Sequence, residues 1–142
     1  MIMKITFDKI VDTINVDVKI HDRCKVDESS FLPLDDNTGD EKYIKAKVDT
    51  GATICCIKLD IAKKLLLSPI GKKRISTANG DTMGNLYCVD IMIDGNIYED
   101  FYLVGLPAIQ TEMLIGMNYL STGNTSITTS SGRTEFCFEE NK

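Results

Sequence analysis

No stretch of this chain approaches the run of about 18 apolar residues that a membrane-crossing helix needs, so no helical membrane span is expected. Positive charge is not in excess either. The 16 Lys and Arg residues stand against 21 Asp and Glu, a net charge of −5, so nucleic acid is not an expected partner. The N-terminus, Met1-Ile2-Met3-Lys4, lacks an apolar run ahead of a small-residue cleavage site, so no export signal is expected. There is no Cys-x-x-Cys pair and the only histidine is His21, so the sequence offers no zinc site. The acidic run Asp35-Asp36-Asn37-Thr38-Gly39-Asp40-Glu41 lacks the alternating ligands and terminal Glu spacing of a calcium loop. No metal and no cofactor are expected. The five cysteines (Cys24, Cys55, Cys56, Cys88 and Cys137) are odd in number and show no framework spacing. They read as reduced thiols, buried as small hydrophobes in a cytoplasmic protein.

What is present is alternation. Its 142 residues suit one domain with a sizeable core. Residues 1–42 are expected to supply N-terminal strands and an acidic loop, and residues 43–138 the main core. Met1, Met3, Ile5 and Phe7 alternate with Ile2, Lys4 and Thr6, and Ile14, Val16, Val18 and Ile20 alternate with Asn15, Asp17 and Lys19. This pattern predicts two strands, paired as a hairpin or placed at sheet edges. Ile44, Ala46 and Val48 repeat the pattern, as do Val89, Ile91 and Ile93, with a return strand over residues 97–104 after the Asp94-Gly95 turn. Ile54-Cys55-Cys56-Ile57 and Met113-Leu114-Ile115 are short apolar runs that predict buried strands. Helical spacing appears over residues 59–67, ended by Ser68-Pro69, and a turn or two of helix is predicted over residues 117–121. Asn79-Gly80 is the strongest hairpin signal, and Ser130-Ser131-Gly132 marks another. Many short strands with a turn about every ten residues predict an all-β, barrel-like fold.

The chemistry concentrates at Val48-Asp49-Thr50-Gly51-Ala52-Thr53. A half-buried strand runs straight into a carboxylate, a hydroxyl and a glycine, so Asp49 sits at a loop tip on a rigid scaffold. Gly51 lets the backbone turn and a second chain or ligand approach. Alone, Asp49 is an ordinary carboxylate that can cap its own turn. Held about 3 Å from a second carboxylate, it can share one proton, so that one member activates water and the other protonates a scissile carbonyl.

The segment 48–53 resembles the active-site loop of retropepsin-like (retroviral-type) aspartic proteases and their microbial relatives. Glu112-Met113-Leu114-Ile115-Gly116-Met117-Asn118-Tyr119-Leu120 is similar to the second motif of that family, two apolar residues and a glycine leading into a short helix. The resemblance covers roughly residues 43–138. One departure is Asn118, where the microbial relatives usually carry Asp; it lies outside the active-site loop. The resemblance implies a single-lobed, closed β-barrel of the acid protease type, with one or two short helices and a flap over bound peptide. It implies Asp49, Thr50 and Gly51 as the catalytic loop, and Ala52, Asn79, Gly80, Asp81 and Ile115 as substrate-binding residues. Asn79, Gly80 and Asp81 would form the flap tip, with Gly84 giving it flexibility. Ile54, Ile75, Met83 and Ile115 are candidates for apolar side-chain pockets, which would favour hydrophobic residues beside the cut.

The chain holds one Asp-Thr-Gly motif. A protease of this type therefore needs a second copy, each contributing one Asp49 on a two-fold axis and each Thr50 bracing the partner loop. The expected activity is endopeptidase cleavage of polypeptides by activated water. Two readings compete: a non-catalytic peptide-binding module on the same fold, and a β-rich structural subunit. The polar segment between His21 and Lys42 is either a surface loop or an arm lying near the active site.

Overall fold

A computed structural model describes residues 2–25, 31–33, 43–77 and 80–141. Most of the acidic segment and residue Asn79 lie outside the described residues. In chain order the elements are β1 (Ile2–Phe7), β2 (Ile14–Asp22), β3 (Ile44–Val48), β4 (Cys55–Lys58), α1 (Leu59–Lys64), β5 (Gly71–Thr77) and β6 (Gly80–Ile93). They continue with β7 (Asn96–Leu106), β8 (Met113–Ile115), α2 (Met117–Leu120), β9 (Gly123–Ser130) and β10 (Arg133–Glu140). No helix among the described residues is long and apolar enough to cross a membrane.

The fold is all-β, with two short helices. Strands β2, β3, β8, β4, β7 and β6 follow one another in hydrogen-bonded order, and β6 returns to β2, closing a six-stranded barrel. Closure removes free strand edges from the barrel wall. β5 pairs only with the first half of β6, so the β5–β6 hairpin extends the sheet beyond the closed ring. The chain reverses in register with Thr77 opposite Gly80, where φ is +103°. The other tight turns also use positive φ: Asp94 and Gly95 between β6 and β7, and Ser131 and Gly132 between β9 and β10. Both positions positive is the signature of hairpin turns that match strand twist.

The predicted alternation sets the core. On β2, residues Ile14, Val16, Val18 and Ile20 all face inward and are buried. They meet Phe101 and Leu103 of β7 and Ile91 of β6 in one cluster. The three-stranded sheet β1–β10–β9 adds Met3, Phe136 and Phe138 to that same cluster.

Four expectations need correction. β1 and β2 do not pair with each other. β1 joins β10, and β2 joins β3 and β6. The link between them is pinned by the buried Thr134, whose hydroxyl donates to the Lys9 carbonyl and accepts from the Val11 N–H, both at 3.1 Å. Nor does α1 reach Leu67. Leu66 takes φ +56°, and the N–H groups of Leu66 and Leu67 turn back to the carbonyls of Lys63 and Ala62. That is the Schellman closure, here with leucine where glycine is usual. Gly84 is a packing position rather than a hinge, since a Cβ there would lie 2.5 Å from Val104 Cγ1 and 2.7 Å from the Gly105 carbonyl. Finally, of the five thiols expected to be buried, Cys24 is exposed and Cys88 and Cys137 are only half-buried.

Phe136 is fully buried where the terminal sheet meets the barrel core. Phe136→Ala is expected to lower stability by about 3–5 kcal/mol in urea unfolding.

Candidate active site

Asp49 follows directly on β3, and the chain re-enters the barrel as β4. Between these two strands lies β8, parallel to β3 (Val48 opposite Ile115) and antiparallel to β4 (Cys56 opposite Leu114). The 49–54 segment therefore has to arch over the end of β8, and a set of backbone hydrogen bonds fixes the arch. The Asp49 N–H donates to the Ile115 carbonyl at 2.9 Å. The Met117 N–H donates to the Ala52 carbonyl at 2.8 Å, and the Asn118 N–H to the Thr53 carbonyl at 3.1 Å. Within the arch, the Ala52 N–H donates to the Asp49 carbonyl at 3.2 Å. Gly116 makes this contact possible, because a Cβ there would stand 2.8 Å from the Ile54 carbonyl and 2.9 Å from that of Ala52.

The Asp49 side chain is half-buried. Its Oδ1 accepts a hydrogen bond from the Gly51 N–H at 2.9 Å, the short-range bond that aspartate turns favour. A Cβ on Gly51 would lie 3.3 Å from that same oxygen, so glycine leaves room for the carboxylate over its own amide. Thr50 and Gly51 are exposed and Ala52 is half-buried beside them.

The other nominated residues distribute as follows. Gly80 and Asp81 are exposed at the start of β6, where Asp81 Oδ1 accepts from the Ser76 hydroxyl at 2.9 Å. Ile115 is 2% exposed and points into the main core. Its neighbour Leu114 faces the other way, packing with Cys56, Val104 and Leu106 and with Ile54, Ile75 and Leu86. Strand alternation carried that information: in a run buried on both faces, residue 114 must oppose residues 113 and 115. Met83 is exposed.

Next to the arch is a cavity of about 590 Å³ lined by the arch itself (Thr53, Ile54), by β5 (Lys73 to Ser76), and by Leu86, Tyr102 and Asn118. Ile54 and Ile75, named from the sequence, are both in its wall; Leu86, Tyr102 and the two cations were not foreseen. The run Lys72-Lys73-Arg74 immediately before Ile75 was the available signal.

Asn118, the departure noted above, ties three elements together. Its Oδ1 accepts from the Cys55 N–H at 2.8 Å, and its Nδ2 donates to the Tyr102 carbonyl at 3.2 Å. An ionised aspartate keeps the first bond and has no donor for the second. The Cys55 thiol is enclosed behind the arch, where Sγ accepts from the Gly116 N–H at 3.2 Å. Burial pushes this thiol up to about 12, against the opposing pull of the Gly116 amide. Burial likewise raises Cys56 to about 11. All five cysteines are unpaired.

Two outcomes follow. Asn118→Ala leaves the Cys55 amide without its acceptor and should cost about 1–3 kcal/mol; Asn118→Asp, which loses only the more exposed bond to Tyr102, should cost less in the same denaturation assay. The raised thiol pKa also fixes a pH trend. The folded state keeps the Cys55 proton above the ordinary 9.0, so its contribution is intact below that pH and is lost as pH rises toward about 12. Cys55→Ala should therefore flatten the decline of stability across that alkaline window.

Comparison with known proteins places this geometry. Residues 38–122 match the family described as "gag-polyprotein putative aspartyl protease". No curated protein matches the chain by sequence. Among solved structures, a retropepsin-like aspartic protease from Rickettsia conorii aligns over 97% of this chain and 92% of its own, at 17% identity and a TM-score of 0.61. The simian foamy virus (mac) protease aligns over 76% of this chain and 92% of its own, at 18% identity and a TM-score of 0.46. The Rickettsia likeness shows the retropepsin-like fold. With the family match spanning more than half of the chain and including both the Asp49 arch and β8, the protein belongs to the gag-polyprotein-type aspartyl protease family.

Proposed function

We propose that this chain is an aspartic endopeptidase that acts as a homodimer, each copy supplying one Asp49 to a shared carboxylate dyad. The observation that carries this is the single Asp-Thr-Gly motif on an arch braced from behind. One carboxylate oxygen is taken up by Gly51, and the other accepts no hydrogen bond among the described residues. Brought about 3 Å apart, two such groups share one proton, because both cannot easily ionise together.

The ionised member takes a proton from water as its oxygen attacks the scissile carbonyl carbon. The protonated member gives its proton to the carbonyl oxygen. As the tetrahedral diol collapses, one hydroxyl proton returns to the carboxylate that gave its proton, the other carboxyl passes the proton it took from water to the amine nitrogen, and the C–N bond breaks. Thr50 and Gly51 are exposed beside Asp49, in position for a second copy to brace the loop. The substrate is an extended polypeptide lying between the arch, with Ala52 at its edge, and the β5–β6 hairpin. Gly80 and Asp81 close over it as part of a flap, to which the resemblance also assigns Asn79. On β8 it is Leu114, rather than Ile115, that shares a cluster with Ile54, Ile75 and Leu86 of the cavity wall. Residues 1–142 act as one domain, a reading supported by the pairing of the two terminal strands, β1 with β10. Five free thiols fit a reducing, cytoplasmic setting.

A mixed peptide library scanned from about pH 4 to 7 should be cut by the wild type, most strongly on the acid side where one dyad proton is retained. Asp49→Asn should lose at least about 10³-fold in rate. Since each site needs two intact copies, equal mixing of wild type and Asp49→Asn after subunit exchange should leave about one quarter of the wild-type activity. Sedimentation should show a dimer. A well-folded monomer that cuts nothing would overturn the proposal in favour of a peptide-binding module.

A further inference from the structure

The protein is acidic overall, at −5, yet the cavity beside the Asp49 arch carries two cations and no carboxylate among its lining residues. Lys73 and Arg74 sit side by side in its β5 wall, and Lys72 precedes them on the same strand. All three are exposed. Arg74 differs from the other arginines of the chain. Arg23 meets Asp90, Glu99 and Asp100, and Arg133 meets Asp8. Arg74 meets no carboxylate among the described residues, and neither does Lys73. The nearest acid on the hairpin, Asp81, is engaged by the Ser76 hydroxyl. The rest of the lining is largely apolar, with Ile54, Ile75 and Leu86 beside Tyr102 and Asn118.

We propose that this cavity is the subsite for an acidic side chain, so that the enzyme selects polypeptides carrying Asp or Glu within a few residues of the cut. The word substrate here rests on the peptidase reading above; the recognition does not. A carboxylate entering the cavity displaces no carboxylate partner from either cation. The Arg74 guanidinium offers a two-pronged donor set matched to a carboxylate, and Lys73 adds a second charge. The cluster is also a local positive feature on an anionic protein, which steers acidic segments toward the arch. Apolar pockets alone, read from the sequence, suggested hydrophobic residues beside the cut. The two cations change the expected selectivity at this position.

The test uses the full-length chain, as wild type, Asp49→Asn and the charge-reversed pair Lys73→Glu/Arg74→Glu. Both reversed positions are exposed, and unchanged thermal unfolding verifies that the fold survives. Cut sites in a proteome-derived peptide mixture are read by mass spectrometry. In parallel, the uncleaving Asp49→Asn protein, with and without the charge reversal, is bound to paired fluorescent peptides that differ only by Glu or Gln. The expected result is enrichment of Asp and Glu near the cuts and about tenfold tighter binding of the Glu peptides, a difference of about 1.4 kcal/mol, with both effects lost on charge reversal. Cleavage that depends on Asp49 but ignores acidic residues would overturn this inference and leave the peptidase intact. Binding that prefers Glu peptides, without cleavage, would do the reverse. A preference that survives charge reversal places acid recognition elsewhere and also overturns it.

Discussion

The structure around Asp49 depends on one contact: the backbone of the 52–54 arch lying directly on Gly116. A Cβ at Gly116 would stand within 2.9 Å of three backbone atoms of that arch. With no side chain there, the amides of Met117 and Asn118 reach the carbonyls of Ala52 and Thr53. The arch is thus held by the same strand that separates β3 from β4. A loop has little rigidity of its own, and this one borrows it from strands on both sides of β8. Behind the contact, α2 is anchored in the core. The Tyr119 ring stacks on Phe101 at 3.6 Å between centroids and tilts against Phe138 at 5.4 Å. The Asp49 backbone is connected in a few steps to the barrel wall and the terminal sheet.

Much of this was legible because alternation reports which face a residue takes. The inward residues of β2 and β3, the Asp94-Gly95 turn and the apolar strand over 113–115 follow from period and turn chemistry alone. Alternation says nothing about which neighbour a strand chooses. β1 reads equally well as the partner of β2 or of a strand more than a hundred residues away. Only the buried Thr134, holding the β1–β2 link, decides the matter in space. Glycines were ambiguous for a related reason. Gly80 and Gly95 adopt positive φ, whereas Gly84 and Gly116 exist for close approach. A sequence shows the missing side chain in both cases and not what fills the space.

At the site, the family motif located Asp49 and left its surroundings unread. Leu114 lies inside the second motif but which face it takes is not part of that motif, and the cations of β5 belong to neither motif. Their position comes from register: Lys73 lies opposite Gly84 and Arg74 opposite Met83, which sets both on the hairpin stretch that borders the cavity. Asn118 illustrates the same limit. Its amide bridges the start of β4 and the Tyr102 carbonyl of β7, a role that needs a donor and an acceptor in one side chain. The chain can depart from aspartate here because the bond it must keep, to the Cys55 amide, requires only an oxygen.

Barrel closure constrains how a second copy can reach Asp49. With β2 bonded to β6, the barrel wall offers no strand edge for pairing, and β1 already occupies one side of β10. Free edges among the described residues remain on β1, β5 and β9. β5 carries the cation pair and borders the cavity, so a copy paired along that edge would crowd peptide entry. β9, almost wholly exposed along its length and bearing an exposed Ile127, is far less protected than an edge strand usually is. In the proposed dimer, strand pairing between copies is therefore open to the terminal-sheet edges and not to the barrel wall, while Thr50 and Gly51 lie at the surface for loop-to-loop contact. Under the proposals above, the Thr50-Gly51 surface that would complete the dyad is separate from the β5 wall of the cavity, so changes at Lys73 and Arg74 need not disturb assembly.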